Sequence, residues 1–268
     1  MNAVLSTATA KIFKYELSDV IRSKWILVYG AFFVLITDAL FRFSGGSAQV
    51  MLSLLNVVLI LIPLVCTVFG TMYLYNAREF TELMLSQPVQ RSSLFAGLYT
   101  GLALPLAVSF ALGVALPFSW HGFEAGSHAA TLALLVGVGA LLTFVFTALA
   151  YVVALGVQDK VKGLATAVMA WLFFAVIYDG LVLAAVQAFA HYPLEKPIIA
   201  LTLLNPVDLA RVLLLMQFDI SALMGYTGAA FQQFFGSALG AWISVGALLL
   251  WLIAPLAVSN WLFGKKDF

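Results

Sequence analysis

Charge is what this chain has least of. Only 9% of its 268 residues are Asp, Glu, Lys or Arg, and 63% are hydrophobic. Globular proteins run at about 25% and 45–50% for the same classes. So few charges cannot cover a soluble surface, which excludes a water-soluble fold, a disordered chain and a coiled coil. Cysteine is nearly absent too: Cys66 alone excludes an intrachain disulfide framework and a cysteine-based zinc site. It lies in an apolar run and reads as packing. A net charge of +1 without a basic stripe excludes nucleic acid as a partner.

Motifs for catalysis are missing as well. The one Gly-Lys pair, Gly264-Lys265, has neither the upstream Gly nor the following Ser or Thr of a Walker A loop. HExxH, Gly-x-Ser-x-Gly and EF-hand patterns are absent. The chain is therefore expected to be no enzyme and to hold no cofactor of its own. Uphill work would draw on a partner or an ion gradient.

What remains is long apolar runs, with a mean hydropathy of +1.06. A helix needs about 20 apolar residues to cross about 30 Å of hydrocarbon. Six stretches qualify: 25–43, 51–75, 93–118, 129–157, 163–190 and 236–262. The fold class is an all-α polytopic membrane protein, with 1–268 as one transmembrane domain. The first run is not read as a cleaved signal despite Gly45-Gly46-Ser47-Ala48, because its flank carries Glu16 and Asp19 and its core is long. Basic residues orient the spans. With the N-terminus inside, Lys11, Lys14, Arg22, Lys24, Arg78, Arg91, Lys160, Lys162, Lys265 and Lys266 are cytoplasmic, and only Arg42, Lys196 and Arg211 are outside. Both ends are then cytoplasmic.

Residues 198–216 are apolar but carry Asn205, Pro206, Asp208 and Arg211 near their centre. Each charge at a span's centre would cost about 2.5–3.5 kcal/mol. The segment 191–235 is accordingly expected outside, as short helices. Asn205 as N-cap, Pro206 at the first helical position and Asp208 in the first turn mark a helix start. A helix over 206–217 is about 18 Å long, too short to cross. It is either re-entrant or peripheral on the outer leaflet.

Two further segments are amphipathic. In the N-terminal segment 1–24, Phe13, Leu17, Val20 and Ile21 share a face opposite Lys11, Ser18 and Arg22. That pattern predicts an interfacial helix, or else an extension packed on protein. In the loop 77–92, Arg78 and Glu82 are four apart, as are Phe80 and Met84, and Pro88 ends the helix. Its apolar side chains Phe80, Leu83 and Met84 are presented either to a partner or to the chain's own spans.

Together with the six spans, Tyr15-Glu16-Leu17 in the N-terminal helix and the loop Arg78-Glu79-Phe80-Thr81-Glu82-Leu83-Met84-Leu85-Ser86-Gln87-Pro88-Val89 resemble permeases of the ABC-2 type across the whole chain. The outer tracts Leu203-Leu204-Asn205-Pro206-Val207-Asp208-Leu209-Ala210-Arg211-Val212 and Ala222-Leu223-Met224-Gly225-Tyr226-Thr227-Gly228-Ala229 resemble the permeases of nitrous-oxide-reductase maturation systems. The resemblance implies that Arg78, Glu79, Phe80, Thr81, Glu82, Leu83 and Met84 form a coupling helix docked on a cytoplasmic ATPase dimer, which would bind ATP and Mg. It also implies a second copy of the permease and a periplasmic β-helix partner serving copper-site assembly. Asn205, Pro206, Asp208 and Arg211 are then candidates for an outer gate or partner contact. The family has no catalytic residues.

Asp179, in Tyr178-Asp179-Gly180 of the fifth span, is the intramembrane polar candidate. It lines a pathway or binds a donor on a partner helix, or it is a protonated acid hydrogen-bonded to Tyr or backbone at a helix contact. Asp38 and Arg42 read as an i,i+4 pair. His121, His128 and His191 fall outside with Met216 and Met224, residue types that suit copper, but their spacing matches no tight ligand set. No metal site is assigned. Gly97 and Gly101, and Gly236 and Gly240, permit close helix approach. An exporter of another substrate (lipid, polysaccharide or drug), a membrane-embedded enzyme and a non-transporting anchor are the competing functions.

Overall fold

A computed structural model of the chain describes residues 24–43, 46–87, 89–121, 129–189, 195–216 and 238–266. The expected interfacial helix before Lys24, Pro88, the loop with His128, His191, and most of the outer segment (191–194 and 217–235) lie outside the described residues. Among the described residues all regular structure is helical: α1 (Lys24–Phe43), α2 (Ser47–Asn76), α3 (Arg78–Leu85), α4 (Arg91–Trp120), α5 (Ala129–Gly156), α6 (Lys160–Leu172), a π-helical turn (Phe173–Ile177), α7 (Tyr178–Ala188), α8 (Glu195–Leu203), α9 (Pro206–Leu215) and α10 (Ala238–Lys265).

Six candidate spans are long and apolar enough to cross a bilayer, α6, the π turn and α7 acting as one 29-residue span from Lys160 to Ala188. The pair α8–α9 bends by 111° at its break and would make a seventh only if counted as one broken span. The fifth span starts at Lys160 rather than 163. Asp159 caps it, its carboxylate accepting from the amides of Val161 and Lys162, so the two lysines sit in the first turn. α9 starts where the sequence predicts but ends at Leu215, slightly short of 217.

α5 is the central helix, packing against α2, α4, α10 and α6. The α2–α5 approach depends on Gly70, where a Cβ would meet Ala150 Cβ at 2.7 Å. Buried threonine hydroxyls of α2 and α5 return to their own helices, Thr67 Oγ1 donating to Pro63 O at 2.7 Å and Thr147 Oγ1 to Thr143 O at 2.7 Å, whereas the Tyr29 hydroxyl and Thr37 Oγ1 on α1 are buried with no hydrogen-bond partner among the described residues. Tyr151 reaches the carbonyl of Leu98 at 3.0 Å, and Gly97 and Gly101 are buried beside it on α4. The fifth span is the least covered, with Met169, Val176, Leu181 and Leu183 exposed. In a bilayer those side chains face acyl chains or another protein, which removes the penalty that water would impose.

Candidate functional site

Two polar constructions stand at opposite ends of the bundle. The first surrounds α3, which continues α2 after a break at Ala77. Thr81 is buried, its Oγ1 donating to Ala77 O at 2.8 Å. Phe80, Met84 and Leu85 are half-buried against the core, whereas Leu83 is 64% exposed. Arg78 Nε pairs with Glu82 Oε1 at 3.1 Å on the exposed side, where Glu79 also lies. The apolar side chains of the loop therefore divide between two sides of the helix. Phe80 and Met84 turn to the chain's own spans, and Leu83 with the charges turns away from them.

The end of α2, directly before α3, is tied to the turn after α5 and to the start of the fifth span. Tyr75 donates to the carbonyl of Val157 at 2.7 Å, satisfying a group just past the end of α5. Lys160 Nζ donates to Asn76 Oδ1 at 2.8 Å. Gly163 lies directly beneath the Tyr75 ring, where any Cβ would strike the phenol oxygen. Two cationic caps stand around the C-terminal tail, one supplied by it and one supplied to it by α4. Lys266 Nζ donates to Ala154 O and Leu155 O at 3.3 and 3.1 Å, and Arg91 donates to Gly264 O and Lys266 O at 3.1 and 2.9 Å. Both cations sit at helix C-termini, the favourable end of the macrodipole. Burial, reinforced by the nearby Arg78, lowers the Lys266 ammonium below the ordinary lysine range.

At the far end, α8 and α9 fold back onto the fifth and sixth spans. Asn205 is fully buried and fully used. Its Oδ1 accepts from Val207 N at 3.0 Å, and its Nδ2 donates to Phe174 O and Asp208 Oδ2, each at 2.9 Å. Phe174 belongs to the π turn, where the widened ladder frees a carbonyl for such a donor. Arg211 Nη1 donates to Asp179 Oδ2 at 2.6 Å and to Asp208 Oδ1 at 3.1 Å. Tyr178 donates to Leu201 O at 2.8 Å, and Trp251 Nε1 to Leu203 O at 3.2 Å. The structure thus unites Asp179 with Asn205, Asp208 and Arg211. Among the readings the sequence leaves open for Asp179 is a donor on another helix; the structure supplies one in Arg211, 32 positions away, which the sequence did not single out as its partner.

The remaining candidates separate from both sites. His121 Nε2 lies 2.8 Å from Asp38 Oδ1, and its ring stacks on Phe41 at 4.7 Å. Asp38 also takes Arg42 Nε at 2.8 Å, the i,i+4 contact that the spacing predicts. Among the described residues no group of three or more His, Cys, Asp or Glu could hold a metal. Tyr75, Asn76, Lys160 and Gly163 were not singled out by sequence, and the only available signal was that helix-end carbonyls need donors.

Comparison with known proteins adds the family. The family described as ABC-2 family transporter protein matches residues 10–268. The probable ABC transporter permease protein NosY of Pseudomonas aeruginosa is 28% identical over 272 residues, covering 95% of this chain and 97% of that one. The protein of the same name from Stutzerimonas stutzeri is 28% identical over 259 residues, covering 90% of each.

Proposed function

The chain belongs to the ABC-2 transporter family and is a permease subunit, and we propose that it couples a separate cytoplasmic ATPase to work on the other side of the membrane. In this reading ATP and Mg are bound by an ATPase dimer, and α3 is the helix docked on it, through Leu83, Glu79, Glu82 and Arg78. The α3 face is cytoplasmic, so both chain ends are inside a bacterial inner membrane. Two copies of the permease form the complex. The resemblance to the maturation permeases extends the reading to a periplasmic β-helix partner and to copper-site assembly in nitrous oxide reductase.

One observation carries the coupling. The end of α2, directly before α3, is bonded through Tyr75 to Val157 in the turn between α5 and the fifth span and through Asn76 to Lys160 at the start of that span, whose other half is bonded to α8 and α9 through Phe174, Tyr178 and Asp179. A displacement of α3 therefore meets a continuous chain of hydrogen bonds and packed helix leading to the outer segment. The test is ATP hydrolysis by the reconstituted complex, with and without the periplasmic partner. Stimulation by that partner, lost on disrupting the Asp179–Arg211 pair while the ATPase remains bound, is the expected result. Hydrolysis by the isolated permease, or purification with a periplasmic partner and no ATPase, would overturn the reading.

A further inference from the structure

Below Trp251 an open groove of about 360 Å³ runs between α5 and α10, walled by Leu149 and Val152 on one side and by Leu250, Ala254, Pro255 and Val258 on the other. All of these residues are apolar. At 1.5 Å per residue the α10 wall is about 12 Å long and begins roughly 10 Å from Lys265. That places the groove at acyl-chain depth in the leaflet at the Lys265 end.

Three features define the occupant. The groove is about 12 Å long, open along one side and walled by apolar side chains alone, which suits a flexible hydrocarbon chain that brings no polar group with it. The row Ala254, Val258, Trp261, Lys265 advances by three or four residues at each step, so groove and cation share one face of α10. Lys265 Nζ stands 4.0 Å over the Trp261 ring, holding a positive charge where a headgroup phosphate would lie. Trp251, which lines the groove, packs edge-on to Phe174 at 5.4 Å and donates to Leu203 O, so the groove adjoins the outer polar construction.

We propose that this groove binds one acyl chain of an anionic phospholipid whose headgroup meets Lys265. The site is independent of the ATPase reading and needs only that the spans cross a bilayer. Native mass spectrometry of the delipidated full-length permease, titrated with phosphatidylglycerol or phosphatidylcholine, tests it. Wild type is expected to retain phosphatidylglycerol in preference. Ala254→Trp, which fills the groove from α10, and Val152→Phe, which fills it from α5, are expected to reduce that retention about ten-fold or more. Lys265→Gln is expected to abolish the headgroup preference while leaving an acyl chain bound. Unchanged retention in whichever filled variants keep the wild-type melting temperature would overturn the proposal, as would equal binding of the two lipids by wild type. A changed monomer–dimer balance in the filled variants with lipid binding intact would also overturn it, and would assign the groove to a second copy.

Discussion

Two carboxylates share the guanidinium of Arg211, and neither is fully withdrawn from the surroundings: the side chains of Asp179, Asp208 and Arg211 are 37%, 13% and 31% exposed. Partial exposure moderates the cost of losing a partner, so the pair is worth less than a fully buried one. A double-mutant cycle of Asp179→Asn and Arg211→Gln, followed by thermal unfolding in detergent, should give a coupling energy of about 0.5–3 kcal/mol. Strict additivity would show that the two do not interact. Arg211→Gln alone should be the more damaging single change, because it strips both acids, while Asp179→Asn leaves Arg211 with Asp208. At the other end, Gly163→Ala drives a methyl into Tyr75 and should cost about 1–3 kcal/mol as overpacking. Combining it with Tyr75→Ala removes the clash, so the double variant should be less destabilised than the two singles summed. A thermal melt of the four proteins decides this.

At the scale of the element, α3 separates stability from docking. Phe80→Ala opens a hole against the chain's own core and should lower the unfolding temperature. Leu83→Ala touches an exposed residue and should leave that temperature unchanged. Because a buried leucine is worth roughly 1.5–3 kcal/mol, Leu83→Ala should weaken the ATPase about ten-fold or more, read by titrating the purified ATPase onto the permease. Wild-type affinity in Leu83→Ala would remove this helix from the interface. The α8–α9 break has a different dependence. Asn205 caps α9 and ties it to the π turn, so Asn205→Ala should cost about 0.5–2 kcal/mol for the cap alone. It should also speed amide exchange selectively between 195 and 216. Slower or unchanged exchange there would contradict its role as the fastener.

At the scale of the whole molecule, the disposition of basic residues predicts that both ends are cytoplasmic. In a Cys66→Ala background, single cysteines at Ser86 and Asp267 should be labelled from the cytoplasm only, and at Glu124 and Glu195 from outside only. Labelling of Glu195 from the cytoplasm would sink the six-span topology and turn α8–α9 into a crossing. Native mass measurement of the complex should find two permease copies, and one copy with ATPase bound would contradict the two-fold arrangement.

The spans, the cap at Asn205 and the Arg78–Glu82 pair were all legible from sequence. Each depends on hydropathy or on contacts within four residues, and those interactions are set by chain order alone. Two matters were decided only by the fold. Phe80 and Leu83 are both apolar and three residues apart, yet one packs inward and the other is exposed, a distinction that depends on how α3 is tilted against its neighbours. Asp179 meets Arg211 only because the chain bends by 111° between α8 and α9 and lays α9 against the π turn of the fifth span. Local periodicity carries no record of such a bend, because the geometry that brings the charges together is fixed by packing among four helices rather than by the residues beside them.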